Sequence, residues 1–193
     1  MTDETLVSPR CDLSLSFAKA NLYGGLLPLP IVLALGWFYI WLWGVVPLVS
    51  GAAQLAANRG AALVAVGLII VGLVAHEALH ALTWVYASGK SWRAVEFGLD
   101  WKTLTPYTHF KELLPVSAYR LGALMPGLAL GLLPALLGCL TGWAGAWAFG
   151  LLFIIGAGGD MLMLWLLRGV STGALVEDHP SRVGCYVLES YPD

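Results

Sequence analysis

The residues of this chain best suited to chemistry are His76, Glu77 and His80, which lie within one short, otherwise apolar stretch. Residues four apart in an α-helix project from the same face, one turn apart. Two imidazoles placed in this way can bind a single Zn²⁺ ion, and a carboxylate beside them can take a proton from a water molecule. The spacing therefore predicts a zinc site on a helix, with both histidines as ligands and Glu77 as general base.

The same three residues have a second interpretation, a polar cluster without a catalytic role. Ionisable side chains inside an apolar bundle can hydrogen-bond neighbouring helices or relay protons. Glu77 is flanked by apolar residues, so we do not expect it to be a surface residue. Metal content separates the two interpretations.

The composition indicates an integral membrane protein. Of the 193 residues, 59% are hydrophobic and only 11% are charged, whereas soluble domains carry about 25% charged residues. A net charge of −2 offers no basic surface for nucleic acid, so no nucleic-acid partner is expected. The three cysteines are far apart and fit no zinc or disulfide spacing, which favours free thiols.

Four apolar segments are long enough to cross about 30 Å of hydrocarbon. The sequence thus predicts one domain over residues 1–193, an all-α polytopic membrane protein with a short β-hairpin on the cytoplasmic side between the second and third helices. No cleavable signal segment is expected. The predicted spans are about 26–49, 61–86, 121–140 and 143–167, with a small-residue link over 50–60, a loop over 88–120 and a tail over 171–193.

Orientation follows from the positive charges. With four spans, nine of the ten Lys and Arg residues fall on one side, and only Arg59 falls on the other. The positive-inside rule then places both termini in the cytoplasm, most simply at the cell membrane. The second and fourth spans both run towards that side. His80 and Asp160 are therefore expected at similar depth in the membrane.

A catalytic zinc ion needs three protein ligands and one open position. Asp160 is the strongest candidate for the third ligand, because an unpaired carboxylate in a bilayer costs about 2.5–3.5 kcal/mol. The glycines beside it, in the segment 156–159, are expected to let its helix approach the second span closely. An alternative role for Asp160 is to hydrogen-bond a ligand histidine from outside the metal's own ligands. The other candidates for the third ligand are His109, Asp178 and His179.

The loop between the second and third spans has a strand pattern. Apolar and polar residues alternate from Val95 to Lys102, which predicts a strand paired with Tyr107–Phe110 across a turn near Thr103–Pro106. The hairpin would either lie at the membrane interface or hold an extended substrate by strand addition. His109 is expected near the entrance to the site.

The tail is interpreted as soluble in character. Its segment Glu177-Asp178-His179-Pro180 predicts a turn, because a residue before proline is restricted. His179 is a further candidate for a place near the entrance to the site.

His76-Glu77-x-x-His80, followed two spans later by Gly159-Asp160, resembles the intramembrane zinc metalloproteases of the site-2 protease type. The chain is more similar to the family of small membrane proteins called "putative zincin peptidases", over nearly its whole length. That similarity is carried by the following further motifs: Tyr119-Arg120, Met125-Pro126-Gly127, Gly158-Gly159-Asp160 and Asp178-His179-Pro180.

The resemblance implies that His76, His80 and Asp160 bind zinc and that Glu77 is the catalytic base. The flanks of Asp160 differ from the Leu-Asp-Gly usual in site-2 proteases, since Gly159 precedes it and Met161 follows it. The resemblance therefore bears on metal binding more than on substrate type.

The leading hypothesis from the sequence is a membrane-embedded zinc metallopeptidase that cuts a membrane-protein or peptide substrate within or beside the lipid bilayer. A second hypothesis keeps the zinc but makes the substrate a lipid or a small amide. A third is a non-catalytic membrane scaffold or transporter component with a structural cluster. The absence of a detectable inverted repeat in the sequence disfavours a transporter.

Overall fold

The computed structural model describes residues 10–101, 105–179 and 181–188. Within them the protein is mostly helical, with two small antiparallel sheets. The helices are α1 (Phe17–Leu26), α2 (Leu29–Trp43), α3 (Val46–Ala57), α4 (Arg59–Ser88), α5 (Val116–Pro126), α6 (Leu133–Thr141), α7 (Ala144–Gly156) and α8 (Gly158–Leu167). The strands are β1 (Arg10–Leu15), β2 (Val95–Asp100), β3 (Thr105–Phe110), β4 (Leu114–Pro115), β5 (Leu175–Asp178) and β6 (Val183–Leu188).

Several helices are long and apolar enough to cross a membrane. Three stretches pass by length and composition, namely Phe17–Trp43, α4 and Val116–Thr141. A fourth passes if α7 and α8, which meet at an angle of 47°, are taken as one broken span. The prediction of several membrane-length helices is thereby confirmed, and these features are compatible with a membrane protein.

The predicted bounds of the first span, 26–49, are wrong. The helical stretch begins at Phe17 and ends at Gly44, whose φ of +68° favours glycine and interrupts the helix. The predicted link over 50–60 is largely helical, because α3 occupies most of it. Pro47 lies in the first turn of α3, where proline is tolerated, so it starts a new helix instead of closing the first one.

The third long stretch is continuous despite two prolines. Pro126 ends α5 and Pro134 lies in the first turn of α6, and between these helices Gly127–Leu132 forms a π-helical segment. Proline removes a backbone donor, and the wider π-helical turn absorbs the lost hydrogen bond without ending the span.

The strand pattern of the central loop is confirmed as a hairpin. β2 and β3 pair antiparallel, with Val95 opposite Phe110 and Phe97 opposite Thr108. Of the predicted turn, Thr103 and Leu104 lie outside the described residues. The hairpin packs along α4, and the ring of Phe110 lies 6.2 Å from that of Trp84.

A second sheet, which the sequence did not predict, joins distant parts of the chain. Its strand order is β1-β6-β5-β4, and residues 10–15 pair with residues 183–188. The prediction of a turn beginning at Glu177 is wrong, since Glu177 and Asp178 belong to β5 and pair with β6. The core beneath the sheet lies between α4, α5 and α8, and its buried members include Trp84, Leu114 and Leu167.

Candidate metal centre

Helix α4 presents two imidazoles towards one point. The rings of His76 and His80 have centroids 4.9 Å apart, as one helical turn requires. Their side chains are only 12% and 8% exposed. The predicted juxtaposition of the two histidines on one helical face is present in the structure.

Asp160 meets these histidines from the start of α8. Its Oδ2 lies 3.2 Å from Nε2 of His76, and its Oδ1 lies 3.3 Å from Nε2 of His80. One possible ligand atom from each residue lies within 4.8 Å of the others. The structure therefore brings together the two predicted histidines and the preferred third ligand, although α4 and α8 are far apart in the sequence.

The donor set fits a zinc ion. Two imidazole nitrogens and one carboxylate oxygen leave a fourth position open, as in catalytic zinc sites. Nε2 of each histidine lies 3.2–3.3 Å from an oxygen of Asp160, a different oxygen for each, so the three side chains are close enough for one ion to reach a ligand atom of each. In addition, Oδ2 of Asp160 is buried without a hydrogen-bond partner among the described residues, although His76 lies beside it. A buried carboxylate oxygen in this position is available to a metal ion.

Gly122 on α5 orients His80. The Nδ1–H group of His80 donates a hydrogen bond to the carbonyl oxygen of Gly122 over 3.0 Å, which leaves Nε2 free for a metal. A Cβ atom at Gly122 would overlap Nε1 of Trp84, whose ring stacks on His80 at 5.3 Å. Only glycine allows α5 to approach α4 this closely.

Gly158 positions Asp160 through α1. A Cβ atom at Gly158 would overlap the carbonyl oxygen of Gly24, so the two backbones are in direct contact. The sequence predicted that the glycine segment approaches the second span, and this was wrong for Gly158, since its partner lies on α1. Gly159 borders open space, and a Cβ atom there would meet no other atom within 4 Å.

His76, His80 and Asp160 border a cavity of about 260 Å³. Glu77 lines it beside the three metal-binding candidates, and β3 supplies another wall through Pro106, Tyr107 and Thr108. The hydroxyl of Thr108 donates to the backbone oxygen of Glu77 over 3.1 Å, which fixes the strand against α4. The cavity is thus enclosed by helices on one side and by the hairpin on the other.

Asp178, the second carboxylate in the wall of this cavity, is bound by two side chains. Its Oδ2 accepts from Nδ1 of His109 over 2.8 Å, and its Oδ1 accepts from the hydroxyl of Tyr119 over 2.8 Å. The hydrogen bond that His109 donates to Asp178 raises the pKa of His109 above its usual value, against a smaller opposing effect of burial. Asp178 therefore ties β3, β5 and α5 together and is not grouped with the metal ligands.

His179 lies apart from the cavity. Its Nδ1 accepts hydrogen bonds from the backbone N–H groups of Ser181 and Arg182, and its ring stacks on Tyr186 at 4.7 Å. His109 does not line the cavity either, although its neighbour Thr108 does. The structure places both histidines in supporting positions.

Sequence reasoning gave no site role to Gly122, Thr108 or Tyr119. Tyr119 and Arg120 are polar residues at the start of an apolar span, and this was the one available signal. The role of Gly122 depends on the shape of Trp84 opposite it, which no spacing in the sequence reveals.

Fold and site together define a mostly helical protein with membrane-length apolar helices and a His-His-Asp cluster able to bind a metal. The model of a family described as "Putative zincin peptidase" matches residues 69–175, more than half of the chain, and the chain belongs to this family. The match includes both histidines, Glu77 and Asp160, and it ends before Asp178. The family implies zinc as the metal. No curated protein and no solved structure matches the chain.

Proposed function

We propose that this protein is a membrane-embedded zinc metallopeptidase in which His76, His80 and Asp160 bind zinc and Glu77 is the general base. The observation that carries the proposal is the convergence of these four side chains on one cavity between membrane-length helices. The family to which the chain belongs supports peptidase chemistry.

A four-span topology agrees with the second sheet. Its strands come from before the first long helix, from between the second and third, and from after the last, so all three parts of the chain lie on one side. Two spans then separate β1 from β4, and two more separate β4 from β5 if α7 and α8 together count as one broken span. An even number of crossings returns the chain to the same side each time. The positive-inside rule then makes this side cytoplasmic.

The chemistry divides between the metal and the side chains. Zinc, when bound, supplies a Lewis acid that polarises a carbonyl group and makes a water molecule more acidic. The Glu77 carboxylate takes the proton from the attacking water and delivers it to the leaving amine. Gly122 keeps His80 in the tautomer that leaves Nε2 available. The side chains of His76, His80 and Asp160 are only 12%, 8% and 19% exposed, which limits the access of bulk water to the reacting groups.

The hairpin supports a role in substrate binding. Pro106, Tyr107 and Thr108 of β3 line the cavity next to Glu77. β3 pairs on one side with β2, and its other edge is not paired with any strand of the described chain. An extended peptide added at this edge would bring a backbone carbonyl group beside the metal ligands.

Zinc content tests the site. We expect about one zinc per chain in detergent-purified protein, loss of zinc in His80→Ala and a reduced content in Asp160→Ala. His179→Ala is the matched control, because it removes an imidazole outside the cavity, and it should retain zinc. A wild-type protein that takes up no zinc after supplementation would overturn the proposal.

Turnover then tests the role of Glu77. Glu77→Gln should retain zinc and lose cleavage of a model substrate, such as labelled casein or a membrane-anchored reporter peptide. Cleavage by this variant at the wild-type rate would exclude Glu77 as the base. Zinc bound without cleavage of any peptide, together with hydrolysis of a lipid or a small amide, would assign the site to a different substrate.

A further inference from the structure

The β2–β3 hairpin has two faces of different character. Phe97 and Leu99 are 57% and 37% exposed, and the alternation of β2 places them on one face. Trp101, directly after the end of the strand, is 79% exposed. On the opposite face, Glu96 forms an ion pair with Lys111 over 3.0 Å. Exposed aromatic and aliphatic side chains in such a row need a partner surface.

The contacts of β3 along α4 give the direction of the hairpin. The ring of Phe110 lies against Trp84, whereas the hydroxyl of Thr108 binds the backbone oxygen of Glu77, two helical turns nearer the middle of α4. The hairpin tip therefore points back along α4 towards its apolar half. Because Phe97 is paired with Thr108, it lies near the level of Glu77, and Leu99 and Trp101 lie beyond it.

The length of α4 indicates how deep Glu77 lies in the membrane. Arg59 begins α4, and the eighteen residues from there to Glu77 rise by about 27 Å, close to the thickness of the hydrocarbon layer of about 30 Å. With Arg59 at one boundary, Glu77 lies at the other. The remaining residues of α4, as far as Ser88, extend beyond the hydrocarbon.

We infer that Phe97, Leu99 and Trp101 form a lipid-binding face that rests in the membrane interface beside the metal centre. Tryptophan and other aromatic residues are favoured at this depth, where their rings lie at the level of the lipid headgroups. The outer edge of β2 is not paired with any described strand, and hydrocarbon does not tolerate unpaired backbone groups. We therefore expect the hairpin to lie tilted against the membrane, with Leu99 and Trp101 no deeper than the interfacial layer. The inference rests on the proposed membrane embedding and adds that the cavity entrance lies at the lipid surface.

Collisional accessibility of spin labels tests the inference. Single cysteines at Phe97, Leu99 and Glu96 would carry a nitroxide in protein reconstituted into mixed phosphatidylcholine and phosphatidylglycerol vesicles. Val71, 65% exposed on α4, is the reference for lipid contact, and Lys111 is the reference for water. All labelled variants also carry Cys11→Ser, which removes the exposed native thiol; the other two cysteines, Cys139 and Cys185, are buried. Burial raises the pKa of Cys185 to about 12, which slows the reaction of its thiol with the label.

We expect the ratio of oxygen accessibility to nickel-chelate accessibility at positions 97 and 99 to be several-fold higher than at position 96 and to approach that at position 71. Water-like ratios at 97 and 99, with a lipid-like ratio at 71, would overturn the lipid-binding face and leave the embedding intact. A water-like ratio at 71 would overturn both. Two apolar positions are labelled so that one perturbed variant does not decide the result.

Discussion

His109 and Asp178 join the hairpin to the four-stranded sheet, with Nδ1 of the histidine 2.8 Å from Oδ2 of the aspartate. The two residues are 69 positions apart and come from β3 and the end of β5. Tyr119 binds the other oxygen of Asp178, so one carboxylate connects both β elements to α5. Because β3 is a wall of the cavity, this carboxylate controls how firmly that wall is held.

We predict that Asp178→Asn loosens the hairpin without removing the metal. The amide loses the charge-assisted hydrogen bond, which in this half-exposed position is worth about 1 kcal/mol. Hydrogen exchange of the β3 amides should accelerate roughly fivefold, while zinc content is unchanged. Glu112→Gln, which removes a carboxylate from the exposed ion pair with Lys90, is the control and should leave β3 protected. Unchanged exchange in Asp178→Asn would contradict this role.

The same pair predicts a dependence of hairpin stability on pH. Free in an unfolded chain, a histidine titrates at about 6.5, and Asp178 raises the pKa of His109 in the folded protein. The stabilisation is therefore complete below about pH 6.5 and is lost as the pH rises through the raised pKa. Glu96 also favours the charged imidazole, whereas Lys111 opposes it.

Exchange of the β3 amides, corrected for the intrinsic effect of pH, should accelerate in the wild type as the pH rises from about 6.5 through the raised pKa of His109. In His109→Gln the corrected rates should be high and independent of pH, because no titrating group remains on this side of the bond. A pH dependence that persists in the variant would assign the titration to another group.

We predict that Gly158→Ala reduces zinc binding although residue 158 is not a ligand. The added methyl group would overlap the carbonyl group of Gly24, so α8 must move away from α1 and carry Asp160 with it. Overpacking of this kind costs about 1–3 kcal/mol. Gly25→Ala is a matched control, since it lies next to Gly24 on α1 and its methyl group would meet no neighbouring atom within 4 Å. Zinc titration of both variants should show weaker binding for Gly158→Ala alone.

We predict a similar effect for Gly122→Ala through a different contact. The methyl group would displace the indole of Trp84 from its place on His80 and disturb the hydrogen bond to Nδ1. Loss of such a supporting interaction typically lowers metal affinity by about 10- to 100-fold. Leu121→Ala changes a neighbouring exposed side chain and should bind zinc as the wild type does. Equal affinities in the two variants would show that Gly122 does not orient His80.

The parts of the site that were predictable depend on local spacing and on the cost of burying charge. His76 and His80 share a helical face by geometry alone. Asp160 was predictable because a carboxylate in an apolar helix is costly unless it has a partner. The hairpin was predictable from its alternating pattern. Each of these signals lies within a few residues of sequence.

The parts that were missed depend on contacts between distant segments. β1 pairs with β6 across the whole chain, and nothing within residues 10–15 indicates that partner. The contact of Gly158 with α1 has the same character, since any neighbouring helix would have explained the glycine. The end of the first span was missed because the apolar sequence continues on both sides of Gly44, so nothing in the hydropathy pattern indicates the positive φ at which the helix ends.

The pairing of β1 with β6 also sets an order of events during synthesis. β1 leaves the ribosome first and remains without its neighbour until β6, the last described strand, has been made. By then every long apolar helix has been translated, and so have His76, His80 and Asp160. The wall that contains Asp178 is therefore completed only after the three candidate metal ligands have been synthesised, which makes pairing of the sheet a late step in the assembly of the site.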